Sequence, residues 1–198
     1  MGSARRLGER AWRIDRPAGV AARVLLERVR AWDGVVDAVV TENHLAAYFS
    51  SDRAIDEAAI RALGEPAPKA SRAPREHALP VVYDGPDLEE VARTIGATPR
   101  ELVDLHARGT YEVAMVGFQP GFAYLSGLDA RLVLPRRSSP RTRVPAGSVA
   151  IGGPYTGVYP FTSPGGWNLI GRTIARVFDA ERGALFALGD RVRFVEHK

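Results

Sequence analysis

The 198-residue sequence contains no cysteine, which excludes disulfides, thiolate zinc sites and cysteine nucleophiles. Lysine is nearly as scarce: only Lys69 and Lys198 occur, so the net charge of +4 rests on arginine. No apolar run approaches the roughly 20 residues that span a bilayer. Arg5, Arg6, Glu9, Arg10 and Arg13 interrupt the region where a secretory signal would need a continuous apolar core. Basic residues do not alternate with aromatics in any run, so nucleic acid is not an expected partner. His44, His77, His106 and His197 are scattered without metal-ligand spacing, and neither a G-x-x-x-x-G-K loop nor a G-x-S-x-G elbow occurs. These absences predict a soluble, cytoplasmic protein with no membrane segment and no bound metal.

One further absence is local. Between Ala130 and Ala180 the sole acidic residue is Asp179, whereas Arg131, Arg136, Arg137, Arg141, Arg143, Arg172 and Arg176 all fall inside. The planar guanidinium fork suits carboxylate or phosphate, so this stretch is where an anion is most easily held.

What is present is an ordinary globular composition, 45% hydrophobic and 25% charged, in a chain long enough to bury roughly 70% of its unfolded surface. A strand over Ala11 to Ile14 precedes apolar residues Ala21, Leu25, Val29 and Trp32, whose spacing predicts a helix near Val20 to Trp32. Val35 to Val40 and Leu45 to Phe49 read as strands around a Thr41-Glu42-Asn43 turn. Ser51 or Asp52 is placed to cap a second helix with apolar face Ile55, Ala59, Ala62 and Leu63. The order β-α-β-β-α suits a small ferredoxin-like domain over residues 1–64. Pro66, Pro68 and Pro74 mark residues 65–78 as a linker, and residues 79–198 form a second domain. That domain opens with a strand at Leu79 to Tyr83, the Asp84-Gly85-Pro86 turn and a helix over Asp87 to Ile95. Thr98-Pro99-Arg100-Glu101 is a capping box that starts another helix. From Tyr111 onward short apolar runs alternate with Gly/Pro turns, which predicts a closed β-barrel.

Several segments are able to carry chemistry. Phe118, Pro120, Gly121, Phe122 and Tyr124 lie in an aromatic turn that is either a pocket wall or a barrel corner packed by its own rings. Arg141 and Arg143 are placed on one side of an extended segment, either clamping an anion together or solvated singly. With no acid nearby in sequence, they are expected to be unpaired and available. Gly165, Gly166, Trp167 and Asn168 form another turn, in which Trp167 is a core plug or a ligand platform. His106 lies on the apolar side of its helix, as a satisfied core histidine or as a catalytic general base.

The block from Leu79 to Val195, about six-tenths of the chain, carries the runs Gly117-Phe118-x-Pro120-Gly121-Phe122-x-Tyr124-Leu125, Pro140-Arg141-Thr142-Arg143-Val144-Pro145-Ala146-Gly147-Ser148 and Ser163-Pro164-Gly165-Gly166-Trp167-Asn168-Leu169-Ile170-Gly171-Arg172-Thr173 in order. It resembles the family of the 5-oxoprolinase B-subunit, also called the first subunit of allophanate hydrolase or the sporulation kinase A inhibitor family. The resemblance implies an α+β protein: a small N-terminal domain followed by a cyclophilin-like β-barrel, similar to the carboxyltransferase domain of urea carboxylase. It implies a heteromeric complex with the C-subunit and the A-subunit of 5-oxoprolinase that opens 5-oxoproline to L-glutamate with ATP as co-substrate. The alternatives it carries are an inhibitor that binds a sensor histidine kinase and a component of urea carboxylase or allophanate hydrolase type. Gly153-Pro154-Tyr155-Thr156-Gly157 departs from the family's Gly-Gly-Gln-Thr-Gly run, and Val40-Thr41-Glu42-Asn43 stands where a Pro-containing turn is expected.

Overall fold

The computed structural model describes residues 3–66 and 73–197, in two compact units, Met1–Ala73 and Pro74–Lys198. No helix among the described residues is long and apolar enough to cross a membrane.

The first unit contains β1 (Ala4–Arg6), β2 (Ala11–Asp15), α1 (Ala22–Arg30), β3 (Val35–Val40), β4 (His44–Phe49) and α2 (Glu57–Ala62). Its antiparallel sheet runs β1-β2-β4-β3. Ala22, Leu25 and Val29 are spaced to share one helical face, and all three are buried together with Ile14, Ala38, Val40, Leu45, Ala47 and Phe49 of the sheet. β1 is absent from the sequence reading. It takes the outer edge beside β2, a position that a ferredoxin-like sandwich gives to a strand following its second helix. α2 also starts later than expected. Its N-cap is Asp56, whose carboxylate accepts from the Ala58 N–H, whereas Asp52 pairs with Arg6 at 2.7 Å. Of the expected apolar face, Leu63 alone is fully buried.

The second unit follows as β5 (Glu76–Val81), α3 (Leu88–Thr94), α4 (Pro99–Ala107), β6 (Tyr111–Val116), β7 (Ala123–Ser126), β8 (Arg141–Val144), β9 (Ser148–Gly152), β10 (Tyr155–Val158), β11 (Ser163–Gly165), β12 (Asn168–Arg172), β13 (Phe178–Asp179), β14 (Gly183–Ala184) and β15 (Arg191–Glu196). Seven strands form one sheet in the order β12-β9-β10-β7-β6-β15-β5. Its two ends meet beyond β5, where Val82 exchanges both backbone hydrogen bonds with Arg172 at 2.9 and 2.8 Å. The result is a nearly closed barrel, so the unit as a whole is mixed α+β and mostly sheet. Residues 76–78, expected as linker, are strand, because β5 pairs in parallel with β15 from Glu76 onward. Pro68 and the rest of that segment from 67 to 72 lie outside the described residues.

Two local features position the site. The capping box at Thr98 forms as expected, with the Glu101 carboxylate accepting from the Thr98 N–H at 2.7 Å, and fixes where α4 begins. Gly85 lies directly against the backbone of β12, where a Cβ would fall on Leu169 O and Ile170 C. Only glycine permits that approach. It lets the Asp87 N–H donate to Leu169 O at 3.0 Å and brings the Asp87 side chain under β12.

Candidate functional site: an aspartate-centred arginine cluster on an aromatic wall

Asp87 sits at the entry of α3 and is buried. Its Oδ2 accepts from the Leu169 N–H at 2.7 Å, and its Oδ1 accepts from Arg137 at 2.9 Å and Arg141 at 2.6 Å. Burying a carboxylate is costly unless it is paired and hydrogen-bonded in this way. Arg137 also lies 3.6 Å from the exposed Glu90. Arg137 Nε and Arg141 Nη1 are buried and make no hydrogen bond among the described residues. The loop bearing Arg137 is held by main-chain and amide contacts: Arg137 N–H donates to Gly166 O at 2.7 Å, and Asn168 Nδ2 donates to Pro135 O at 3.2 Å.

This corrects the sequence expectation for the arginines. Arg141 is not unpaired; its carboxylate partner lies 54 positions earlier in the chain. Arg143 is exposed, has no acidic partner among the described residues and does not share the Asp87 carboxylate with Arg141. The convergent pair is Arg137 with Arg141.

Behind the arginines stands an aromatic wall. Phe122, Tyr159 and Trp167 are buried, with the Phe122 ring 5.4 Å from each of the other two in edge-to-face contact. Tyr124 is half-buried, 5.7 Å from both Tyr155 and Trp167. Trp167 lies on Gly152, where no side chain would fit, and Arg136 is stacked over its ring at 6.0 Å. Gly165 leaves room for the Tyr159 hydroxyl. Burial pushes the Tyr159 phenol up, against the pull of the Trp167 backbone N–H and of the Arg136 and Arg141 charges. Trp167 and Phe122 are therefore core residues, and the Trp167 ring lies beneath Arg136. Gly165 makes room beside Tyr159, Gly166 O accepts from the Arg137 N–H, and Asn168 ties down the loop at Pro135.

The Gly117-Phe118 turn projects from the same wall. Phe118 is 62% exposed and adopts a left-handed φ of 73°, unusual for a side chain of this size. Its ring contacts Phe122 at 5.4 Å and Tyr159 at 6.3 Å. With Pro120, Gly121, Phe122, Ala184 and Phe186 it lines a groove of about 420 Å³. Phe118→Gly is expected to change stability by less than about 1 kcal/mol, because relief of left-handed strain offsets the loss of an exposed ring. Urea denaturation measures this; a loss above about 2 kcal/mol would make the ring part of the core.

His106 is fully buried on α4. Its Nδ1 lies 2.8 Å from the Tyr83 hydroxyl and its Nε2 lies 2.8 Å from Thr156 Oγ1. Thr156 Oγ1 donates to Ala150 O at 3.0 Å, so it accepts from His106. This places the proton on Nε2 and makes Nδ1 the acceptor for Tyr83. The ring also stacks on Phe194 at 4.6 Å. Burial drives its pKa down to about 3. A neutral imidazole with both nitrogens satisfied inside the barrel is a structural element, and the structure does not bring it to a surface where a substrate proton could be taken. Nor does any cluster of three or more His, Cys, Asp or Glu side chains suited to a metal ion occur among the described residues.

Asp87, Arg136, Arg137, Tyr155 and Tyr159 are the residues of this region that sequence reasoning did not select. Arg136 and Arg137 were visible in the charge pattern. Asp87 read only as the start of a helix.

Residues 3–188 match the family described as carboxyltransferase domain, subdomain C and D, and the chain belongs to that family. Among its relatives, the 5-oxoprolinase B-subunit of Escherichia coli O157:H7 is 52% identical over 125 residues, 61% of this chain and 57% of that protein. The 5-oxoprolinase B-subunit of Bacillus subtilis (strain 168) is 49% identical over 122 residues, 59% of this chain and 51% of that one. The crystal structure of TTHA0988 superposes with a TM-score of 0.81 at 37% identity, covering 96% of this chain and 40% of that chain. The matched regions thus span about half the length of the curated relatives.

Proposed function

We propose that the chain is the B-subunit of an ATP-dependent 5-oxoprolinase and acts with the C-subunit and the A-subunit to open 5-oxoproline to L-glutamate. Identity of about half over more than 120 residues to two proteins of that name is the observation that carries this reading. In this reading the barrel is of cyclophilin-like type, the protein works in the cytoplasm, where ATP is at hand, and ATP is a co-substrate of the assembled complex. The site chemistry is consistent with it. The substrate is a small carboxylate, and the cluster around Asp87 offers guanidinium donors beside aromatic walls. Those groups bind and orient; with His106 enclosed, the proton-moving groups come from a partner protein, and the chain is inactive alone.

Co-expression with the candidate C- and A-subunits should give ATP-dependent release of glutamate from 5-oxoproline, with no turnover by this chain by itself. An assembled complex without turnover, together with slowed autophosphorylation of a sensor histidine kinase by this chain alone, would replace the reading with that of a kinase inhibitor.

A further inference from the structure

Resting on that reading, we propose that the pocket at Arg136 and Arg137 is the site where this protein holds a small oxyanion, the carboxylate of 5-oxoproline. The pocket measures about 240 Å³, and its polar lining includes Glu90, Arg136, Arg137, Ser138, Ser139 and Asn168. That volume accommodates a compact molecule rather than a nucleotide base and sugar together.

Three observations point to an anion. Arg137 pairs with Asp87 and Glu90, Arg141 pairs with Asp87, and Arg136 lines the same pocket without a carboxylate partner among the described residues, so three positive charges meet two negative ones. The Arg137 guanidinium is held through Nη1 by Asp87, while its Nε finds no acceptor among the described residues. A charged donor left unmatched is costly, and a ligand oxygen on that edge recovers the loss. Arg136 has its guanidinium carbon 6.0 Å from the centre of the Trp167 ring and lies at an exposed position, where its nitrogens are open to a ligand.

Asp87 and Arg141 then act as positioning residues. Asp87 fixes the Arg137 fork before a ligand arrives, which removes the rotamer cost that a free arginine would incur on binding. The cluster on β8, β12 and the α3 entry is rigid because Asp87 is tied to the Leu169 N–H. Ser138 and Ser139 supply hydroxyls, and Val91, Leu134 and Pro135 supply the apolar part of the lining for the ring of the substrate.

The full chain, without partners, should bind 5-oxoproline saturably in a calorimetric titration at low salt. Arg137→Lys keeps a charge for Asp87 but removes the Nε edge, and should weaken binding by about tenfold or more with little change in melting temperature. Arg136→Ala, at an exposed position, should weaken it by about three- to tenfold. Parallel titrations with inorganic phosphate and with ATP distinguish the oxyanion source: phosphate binding that is lost in Arg137→Lys, with no 5-oxoproline binding, would retain the oxyanion site and overturn its assignment to the carboxylate. Absence of binding by all three ligands, or equal binding by the variants, overturns the site even if the assembled complex turns over. Arginine-dependent binding of 5-oxoproline in a complex with no turnover would overturn the proposed activity and leave the site standing.

Discussion

Asp87→Ala is expected to lower the free energy of unfolding of the barrel unit by about 3–5 kcal/mol, the range for breaking a buried ion pair from one side. The carboxylate is buried, whereas Arg137 and Arg141 are only partly so, and it receives three donors at 2.6 to 2.9 Å. Its removal leaves two guanidiniums facing each other and strands the Leu169 N–H at the edge of β12. Asp87→Asn should fall between the two, because the amide keeps an acceptor for Leu169 or for one arginine but not the charge that holds both. The measurement is urea denaturation of the wild type and both variants, with Arg141→Met added to the Asp87→Ala background. If the cluster is one unit, the second substitution recovers part of the loss, and the two effects are far from additive. A cost below about 1 kcal/mol for Asp87→Ala would place these contacts with ordinary surface pairs.

The second large effect is a dependence on pH. The folded pKa of His106, about 3, lies below the ordinary histidine value near 6.5, so the folded state binds fewer protons than the unfolded chain. The stabilisation from burying neutral His106 is complete above about pH 6.5 and declines as the pH falls toward 3, by up to about 1.4 kcal/mol per unit. His106→Gln retains an N–H donor and an oxygen acceptor without a titrating ring, and should lose this slope while other groups titrate as before. The difference between the two proteins in urea midpoints from pH 7.5 to pH 4 isolates the effect from that of the carboxylates. Parallel curves would mean that the imidazole is not sequestered. At neutral pH, His106→Ala should cost about 3 kcal/mol or more, from a cavity against Phe194 and the unsatisfied Tyr83 hydroxyl.

Both effects turn on contacts whose partners are far apart in sequence, and this sets what was legible. The strand-helix-strand-strand-helix order of the first unit was readable because burial follows short periods, as at Leu25 and Val29 or Leu45 and Ala47. The start of α4 was readable because Thr98 and Glu101 solve a local hydrogen-bonding problem three residues apart. β1 escaped because three residues at a sheet edge, of which only Ala4 is even partly buried, carry no period. The parallel pairing of β5 with β15 escaped because it joins residues more than a hundred positions apart.

By itself, the sequence determined the kinds of local element, the turn-rich character of the second unit and the family motifs that run from Gly117 to Thr173. It also established that arginines dominate residues 130 to 180. Whether those arginines were free was not a local property. That stretch has almost no acid along the chain, yet it has one at its centre in space. The Gly85 turn passes against β12 and carries Asp87 beneath Arg137 and Arg141. Charges interact through distance in three dimensions, so only the closed sheet decided which arginines were paired and which nitrogens remained without a partner.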